Sequence, residues 1–285
     1  MPASLAGKIT LVIAARDDGA ALLAAIERAL ALPERPPIIV VDNGSSDDSA
    51  REAKARYPQV KLVRVPFDMG VAAVNVGAER AETPYVAACD PHTHWAEGAL
   101  AAAVHLLDFY PRVAVLAPRM LCRPGGEEHP DSASLAKSPL RSRGLPGREM
   151  LRVAPSAAVL RRAPFVEHGG FEPRFHRGGD ELLAYDLAAA GWSLVYAPAV
   201  VACRAANLPA AHDRTPQLRA RNALLTAWLR RPLSSALRRT LKVLATRGAW
   251  SALRGALGDA AWVLRNRRVV PAQVEARCRR LDAAA

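Results

Sequence analysis

The feature that most constrains this chain is a series of short, uninterrupted apolar runs separated by helix-patterned segments. Ile9–Ala15 and Pro37–Asp42 are rich in β-branched residues and lack polar alternation. A strand with one wet face alternates apolar and polar residues, so runs like these predict strands covered on both faces. Between them, residues 20–32 carry helical spacing. The alternation continues with strands expected at 60–65, 85–89 and 113–117 and helices at 71–81 and 97–109. This order predicts an α/β fold with a mostly parallel central sheet and helices on both faces. With 51% hydrophobic residues the chain can fill a core, but only 5% are aromatic, so Ala, Leu and Val must do most of the packing.

The second half reads differently. Residues 123–148 are polar and rich in Gly, Pro and Ser, which predicts a long mobile loop. A compact segment follows from Met150 to about Ala205. From Arg214 onward the pattern is helical, with Leu237, Leu241 and Leu244 on one face and Trp250, Leu253 and Leu257 on another. The net charge of +12 is concentrated there. Residues 1–213 hold 23 basic and 24 acidic side chains, whereas residues 214–285 hold 16 basic and 3 acidic. The four cysteines are scattered without a C-x-x-C, which argues against a disulfide framework or structural zinc. The apolar run at 9–15 ends at Arg16, too short for a signal peptide or a span. No uncharged apolar stretch reaches about 18 residues, so the chain reads as cytoplasmic.

Open parallel sheets bind ligands outside the carboxyl ends of their strands. Those ends carry Ala14, Ala15, Arg16 and Asp17, then Asp42-Asn43-Gly44-Ser45, then Asp90-Pro91-His92. Asp42 can accept a hydrogen bond from a base or ribose, or simply form a turn beside Asn-Gly. Pro91 blocks helix continuation, so Asp90 and His92 are expected to stay extended, point the same way and be able to share a divalent cation. Imidazole suits Mn²⁺ better than Mg²⁺. The plainer alternative makes Asp90 a helix cap and His92 a surface residue. Asp180 and Glu181 open a helical stretch, where the dipole alone stabilises acids by about 0.3–1 kcal/mol. The chain has no G-x-x-x-x-G-K loop, no G-x-G-x-x-G after the first strand and no G-x-S-x-G elbow, which disfavours ATPase, dehydrogenase and α/β-hydrolase readings.

Several segments resemble the family-2 glycosyltransferases of GT-A fold, over about residues 8–222. Ile9-Thr-Leu-Val-Ile-Ala-Ala looks like the family's first strand. Val40-Val41-Asp42-Asn43-Gly44-Ser45-Ser46-Asp47 matches its second-strand signature, and Gly70-Val-Ala-Ala-Val-Asn75-Val-Gly77 is similar to its third motif. Gly169-Gly170-Phe171, followed by Gly179-Asp180-Glu181, resembles the acceptor-side and catalytic-acid motifs. Gly191-Trp192 through Pro198 and Arg221-Asn222 complete the series.

The resemblance implies roles. Asp42 would hold the nucleotide base, with Ala14, Ala15, Arg16, Gly70, Asn75 and Asp90 lining the nucleotide-sugar site. Asp90 and His92 stand at the metal motif, implying a divalent cation, Mn²⁺ or Mg²⁺; His92 replaces its usual second acid. Asp180 stands at the general base. Because Gly179 occupies the place of a common Glu, Glu181 is a rival. The implied reaction is inverting transfer of a sugar from a nucleotide-diphosphate donor to an acceptor hydroxyl, in cell-envelope, polysaccharide or glycolipid synthesis. The alternative is a catalytically degenerate nucleotide-sugar-binding or membrane-docking protein on the same fold.

The expected organisation is a GT-A domain over 1–213, with a Rossmann-like nucleotide-sugar half (1–120) and an acceptor-side half (121–213), then a basic amphipathic helical extension (214–285). Arg beside Leu and Trp on those helices suits an anionic membrane surface, where lipid-linked glycan acceptors would lie at the inner face of the plasma membrane. Nucleic acid is not an expected partner, because its motifs are absent and aromatics are few.

Overall fold

The computed structural model describes residue 5 and residues 7–123, 125–153, 156–176, 179–205, 215–245 and 249–284. Arg177 and Gly178, ahead of Gly179, lie outside them. The elements run β1 (Ile9–Ala15), α1 (Gly19–Leu30), β2 (Ile38–Asn43), α2 (Ser49–Arg56), β3 (Lys61–Val65), a 3₁₀ turn (Gly70–Ala72) and α3 (Ala73–Arg80). Then come β4 (Tyr85–Cys89), β5 (Thr93–Trp95), α4 (Ala99–Phe109), β6 (Val113–Arg123), α5 (Pro130–Ala136), β7 (Arg148–Glu149), β8 (Ala157–Arg161), α6 (Arg162–Glu167), α7 (Asp180–Ala189) and β9 (Ser193–Ala205). Five helices follow: α8 (Thr215–Arg230), α9 (Leu233–Leu244), α10 (Ala249–Gly258), α11 (Ala260–Asn266) and α12 (Ala272–Ala284).

All nine strands form one sheet in the order β3-β2-β1-β4-β8-β6-β9-β5, with β7 pairing β9. β1 to β4 are mutually parallel, with Leu11 opposite Ile38 and Leu11 opposite Ala87. The apolar runs behave as predicted, since every residue of β2 and β4 is buried. The fifth parallel strand does not join β4 directly. Antiparallel β8 lies between β4 and β6. β6 and β9 are parallel to one another, so β4, β6 and β9 all point their carboxyl ends to the same edge.

Helices cover both faces. α1 and α4 pack Leu22, Ile26, Leu100 and Leu107 against one side of the sheet. α3, α7 and α12 pack Val74, Leu183, Leu187, Val274 and Cys278 against the other. A separate cluster of Phe175, Leu182, Leu225, Leu229 and Val263 joins α7 to α8 and α11.

Three local expectations change. The 123–148 stretch contains α5, whose Ser132 hydroxyl accepts from Met120 N–H at 3.1 Å, and ends in β7 on the sheet. It is therefore an ordered flap in part. The helix dipole favours acids in a first turn, where the sequence after Asn-Gly-Ser-Ser places Asp47 and Asp48; both instead precede α2, and Asp47 accepts from Ser49 N–H at 3.2 Å. Residues 90–92 are not extended: Thr93 N–H donates to the Asp90 carbonyl at 3.1 Å, closing a turn. Pro91 bars helix but tolerates a turn equally well.

Candidate active site

The strand ends meet as expected at one edge, and polar side chains join their loops. Asp17 carries positive φ and its carboxylate accepts from the Ser46 N–H at 2.6 Å and hydroxyl at 3.0 Å. These hydrogen bonds hold its carboxyl below the usual range. In return Asp17 N–H donates to Ser45 Oγ at 3.1 Å. The β1–α1 and β2–α2 loops are thus stapled together. Ala14 and Ala15 pair with Val41 and Asp42, serving the floor of the edge through their backbone and small volume.

Asp42 is only 1% exposed. Its Oδ1 accepts from Ser45 N–H at 3.0 Å, so it does shape the Asn-Gly turn. Its Oδ2 lies 3.2 Å from Arg64 Nε, in ion-pair range, yet is buried and forms no hydrogen bond. A buried acceptor left unsatisfied is costly, typically about 1–3 kcal/mol, and calls for a reason.

A centre that the motifs did not single out is Asp68. Its carboxylate accepts from Asn43 Nδ2 at 2.9 Å and Gly70 N–H at 2.8 Å, and pairs with His176 Nε2 at 2.9 Å and with Arg16. Burial pushes its carboxyl up, but the Gly70 hydrogen bond and the His176 and Arg16 charges outweigh that and hold it below the ordinary range. Asp68 therefore gathers β1, β2, the β3–α3 loop and the loop before α7. Only folding could reveal this, because its partners are 108 residues apart in the case of His176.

Gly70 needs to be glycine. Its φ is +58°, and an added Cβ would land on the His176 carbonyl oxygen. Gly70→Ala is expected to cost at least about 1–2 kcal/mol for the left-handed backbone alone and to loosen the 171–176 loop. Thermal unfolding would check this as a lowered Tm. Asn75 ties down the same loop. Its Nδ2 donates to the Phe171 carbonyl at 2.8 Å and its Oδ1 accepts from Phe171 N–H at 2.9 Å. Both ends of the amide are engaged, so Asn75 acts as a positioning residue in this arrangement.

Asp90 and His92 come to one turn but face different partners. Asp90 Oδ2 pairs with Arg204 Nη1 at 2.6 Å, and its Oδ1 accepts from Thr93 Oγ1 at 2.8 Å and His92 N–H at 3.2 Å. Arg204 is placed by register, directly opposite Thr93 on β9, and also donates to the Thr93 hydroxyl at 2.8 Å. His92 Nε2 lies 3.1 Å from Asp18 Oδ2, while Asp18 Oδ1 caps α1. Among the described residues no three His, Cys, Asp or Glu side chains form a metal cage. A carboxylate and an imidazole fit a divalent ion that draws its remaining ligands from a bound diphosphate, a common arrangement for small dications. They do not fit an ion held by protein alone.

Asp180 begins α7, with its carbonyl accepting from Val153 N–H at 3.0 Å and its Oδ2 lying 3.3 Å from Arg152 Nε. Glu181 turns elsewhere, toward Tyr185, whose hydroxyl is 3.4 Å away. Burial pushes the Glu181 carboxyl up, opposed by the charge of Arg239 on α9. The two acids thus occupy distinct settings. His176, four residues ahead of Asp180, is held by Asp68, and its carbonyl accepts from Val71 N–H at 3.3 Å.

The model of glycosyl transferase family 2 matches residues 10–169. Two relatives come from Mycobacterium tuberculosis (strain CDC 1551 / Oshkosh). An N-acetylglucosaminyl-diphospho-decaprenol L-rhamnosyltransferase is 26% identical over 58% of this chain and 65% of its own length. A pre-mycofactocin glycosyltransferase is 29% identical over 74% of this chain and 44% of its own. The chain therefore spans less than two thirds of the length of either. Among solved structures, the mannosyltransferase PcManGT from Pyrobaculum calidifontis, in complex with GDP-Man and Mn²⁺, superposes with TM-score 0.57 at 19% identity, covering 98% of this chain and 80% of that one. That likeness concerns the fold, which is of the GT-A type. Since the family model covers more than half of its residues, the chain belongs to glycosyl transferase family 2.

Proposed function

We propose that the protein is an inverting glycosyltransferase that moves a sugar from a nucleotide-diphosphate donor to a hydroxyl of a lipid-linked acceptor. The observation that carries this reading is the Asp68–His176 junction. It ties the end of β2, through Asn43, to the loop that leads toward α7, and this supports reading Asp42 and Asp90 as donor-side residues and Asp180 as the base of one site. Asp42 Oδ2, which makes no hydrogen bond and faces the Arg64 guanidinium, would accept from an N–H of the base or a ribose hydroxyl once Arg64 moves aside. The donor diphosphate lies over the Asp90 turn, where Arg204 pairs with Asp90 and orients it. A divalent cation held there by Asp90 and His92 would offset charge on the diphosphate.

The acceptor oxygen attacks the anomeric carbon opposite the diphosphate. The carbon–oxygen bond to the diphosphate breaks as the new glycosidic bond forms, and the nucleoside diphosphate departs. The acceptor proton passes to the Asp180 carboxylate, which lies 3.3 Å from Arg152 Nε. The lipid-linked character of the acceptor follows the name of the rhamnosyltransferase relative, and it would place the enzyme at the cytoplasmic face of a membrane.

The test is release of nucleoside diphosphate from a panel of nucleotide sugars with Mn²⁺, with Mg²⁺ and with chelator. Release is expected with one donor, and chelation or Asp90→Ala should reduce it at least tenfold. Calorimetry should find Mn²⁺ binding only when the nucleotide is present, because the protein supplies two donors at most. Calorimetric nucleotide binding without turnover of any donor–acceptor pair would favour the non-catalytic alternative.

A further inference from the structure

Arg204 is placed more firmly than an ordinary surface cation. It is the last residue but one of β9, and there β9 runs between two strands, with Thr93 of β5 on one side and Cys122 of β6 on the other. The Ala205 N–H also donates to the His92 carbonyl at 3.1 Å, which closes β9 onto the Asp90 turn. The Arg204 side chain is only 16% exposed. Cys203 beside it is buried, on the other face of the strand, as alternation requires.

Its contacts leave part of the guanidinium over. The bonds to Asp90 Oδ2 at 2.6 Å and to Thr93 Oγ1 at 2.8 Å both start from Nη1. A guanidinium carries its N–H donors in a planar fork that matches phosphate oxygens two at a time. Nη2 and Nε are not taken up by Asp90 or Thr93. Asp90 is also the residue that would hold a divalent cation. Its Oδ1 already accepts from Thr93 Oγ1 and His92 N–H, so Oδ2 is the oxygen to be exchanged. A cation on Oδ2 takes the counter-charge away from Arg204. A largely buried guanidinium without a partner is costly, and a dication set beside it is repelled as well. An anion that reaches both offsets both effects, and a diphosphate has the charge and the spaced oxygens to do so.

We propose that Arg204 binds the donor diphosphate and makes cation uptake and nucleotide binding depend on each other. The assignment rests on reading the Asp90 turn as the diphosphate site, and it gives a substrate contact to a residue that no strand-end motif singles out. Arg204 pairs with Asp90 as the structure shows. When diphosphate and cation arrive together, Asp90 turns its Oδ2 to the cation and Arg204 turns its fork to the diphosphate oxygens. The two ligands then share one coupling free energy, which acts equally in both directions.

The experiment is calorimetry of the full chain with UDP, GDP and dTDP, each in EDTA and in Mn²⁺. In EDTA, Asp90→Asn is expected to raise nucleotide affinity about tenfold, because it releases Arg204 and removes a repelling carboxylate. Arg204→Gln should lower affinity about tenfold or more and, combined with Asp90→Asn, should erase that gain. Mn²⁺ should strengthen nucleotide binding about tenfold less in Arg204→Gln than in the unmodified chain. Circular dichroism checks that the variants fold. Arg204→Lys decides the matter if the glutamine variant does not: it keeps the charge and loses the fork, so nucleotide affinity in Mn²⁺ should drop at least about threefold.

An Asp90→Asn chain that binds nucleotide no better in EDTA, an Arg204→Gln chain in which Mn²⁺ strengthens nucleotide binding as much as before, or an Arg204→Lys chain with unchanged affinity would reduce Arg204 to a strut of the turn and overturn the proposal. Those results leave the transferase reading intact, since nucleoside-diphosphate release tests it separately. If none of the three nucleotides binds the unmodified chain even with Mn²⁺, the reading of the Asp90 turn as a donor site falls, and the role of Arg204 falls with it.

Discussion

Asp180→Asn is expected to reduce turnover by about 10²–10⁴-fold, the range that general-base assistance typically supplies, while donor affinity stays within about twofold. The substitution keeps the shape of the side chain at the start of α7 and removes only its ability to take a proton. Arg152, 3.3 Å away, would lose its counter-charge, so some stability should go as well. Glu181→Gln serves as the comparison. Glu181 is directed to the Tyr185 hydroxyl and is buried, whereas Asp180 is the acid in ion-pair range of Arg152, so loss of Glu181 should change turnover far less. Steady-state kinetics with calorimetric donor binding decide the matter. Normal turnover in Asp180→Asn, or a larger loss in Glu181→Gln, would transfer the role to Glu181.

The second large effect concerns stability. Arg231 and Glu275 are both buried, joined through Nε at 2.9 Å and Nη2 at 3.1 Å, with the Ser235 hydroxyl and Arg279 also on the Glu275 carboxylate. Arg231 reaches Asp282 too. The network pins α8, α9 and α12 together. Glu275→Ala would leave a buried guanidinium short of its main partner, and breaking such a pair from one side costs about 3–5 kcal/mol. Denaturant unfolding should register that loss. Replacing both partners with apolar residues of similar size should recover most of it, because the cost lies in the stranded charge.

The pH dependence follows from the same contacts. Burial pushes the Glu275 carboxyl up, but the hydrogen bonds from Arg231, Ser235 and Arg279 prevail and lower it. A folded-state pKa below the unfolded one gives stability that is fully present above the ordinary carboxylate range. It is lost as pH falls through the depressed folded value. Acid unfolding of the native protein should therefore be steeper than that of the doubly apolar variant.

Most of the donor half was legible in the residues. The β-branched runs of β1, β2 and β4 are covered on both faces because helices lie on each side of a parallel sheet, and period alone reports that. Strand ends then predict where ligands go, and the loops after β1, β2 and β4 do share one edge. The acceptor half was harder to read. β8 runs antiparallel between β4 and β6, and nothing in the short apolar run Ala157–Arg161 states its direction or neighbours. The 123–148 stretch looked like loop because Gly, Pro and Ser dominate it, yet tertiary contacts order α5 against β6.

By itself, then, the sequence determined the alternation of buried strands and helices, the identity of the acids at the strand ends and the basic, amphipathic character of the C-terminal helices. These are local properties, written in periodicity, turn chemistry and charge. Tertiary structure alone decided that Asp68 would bind His176 from across the chain, that Arg204 would face Asp90 through the β5–β9 register, and that the Leu233–Leu244 stripe would stay exposed. Each depends on which distant segments pack together. The energy of such contacts belongs to the pair, and no single stretch of residues carries it.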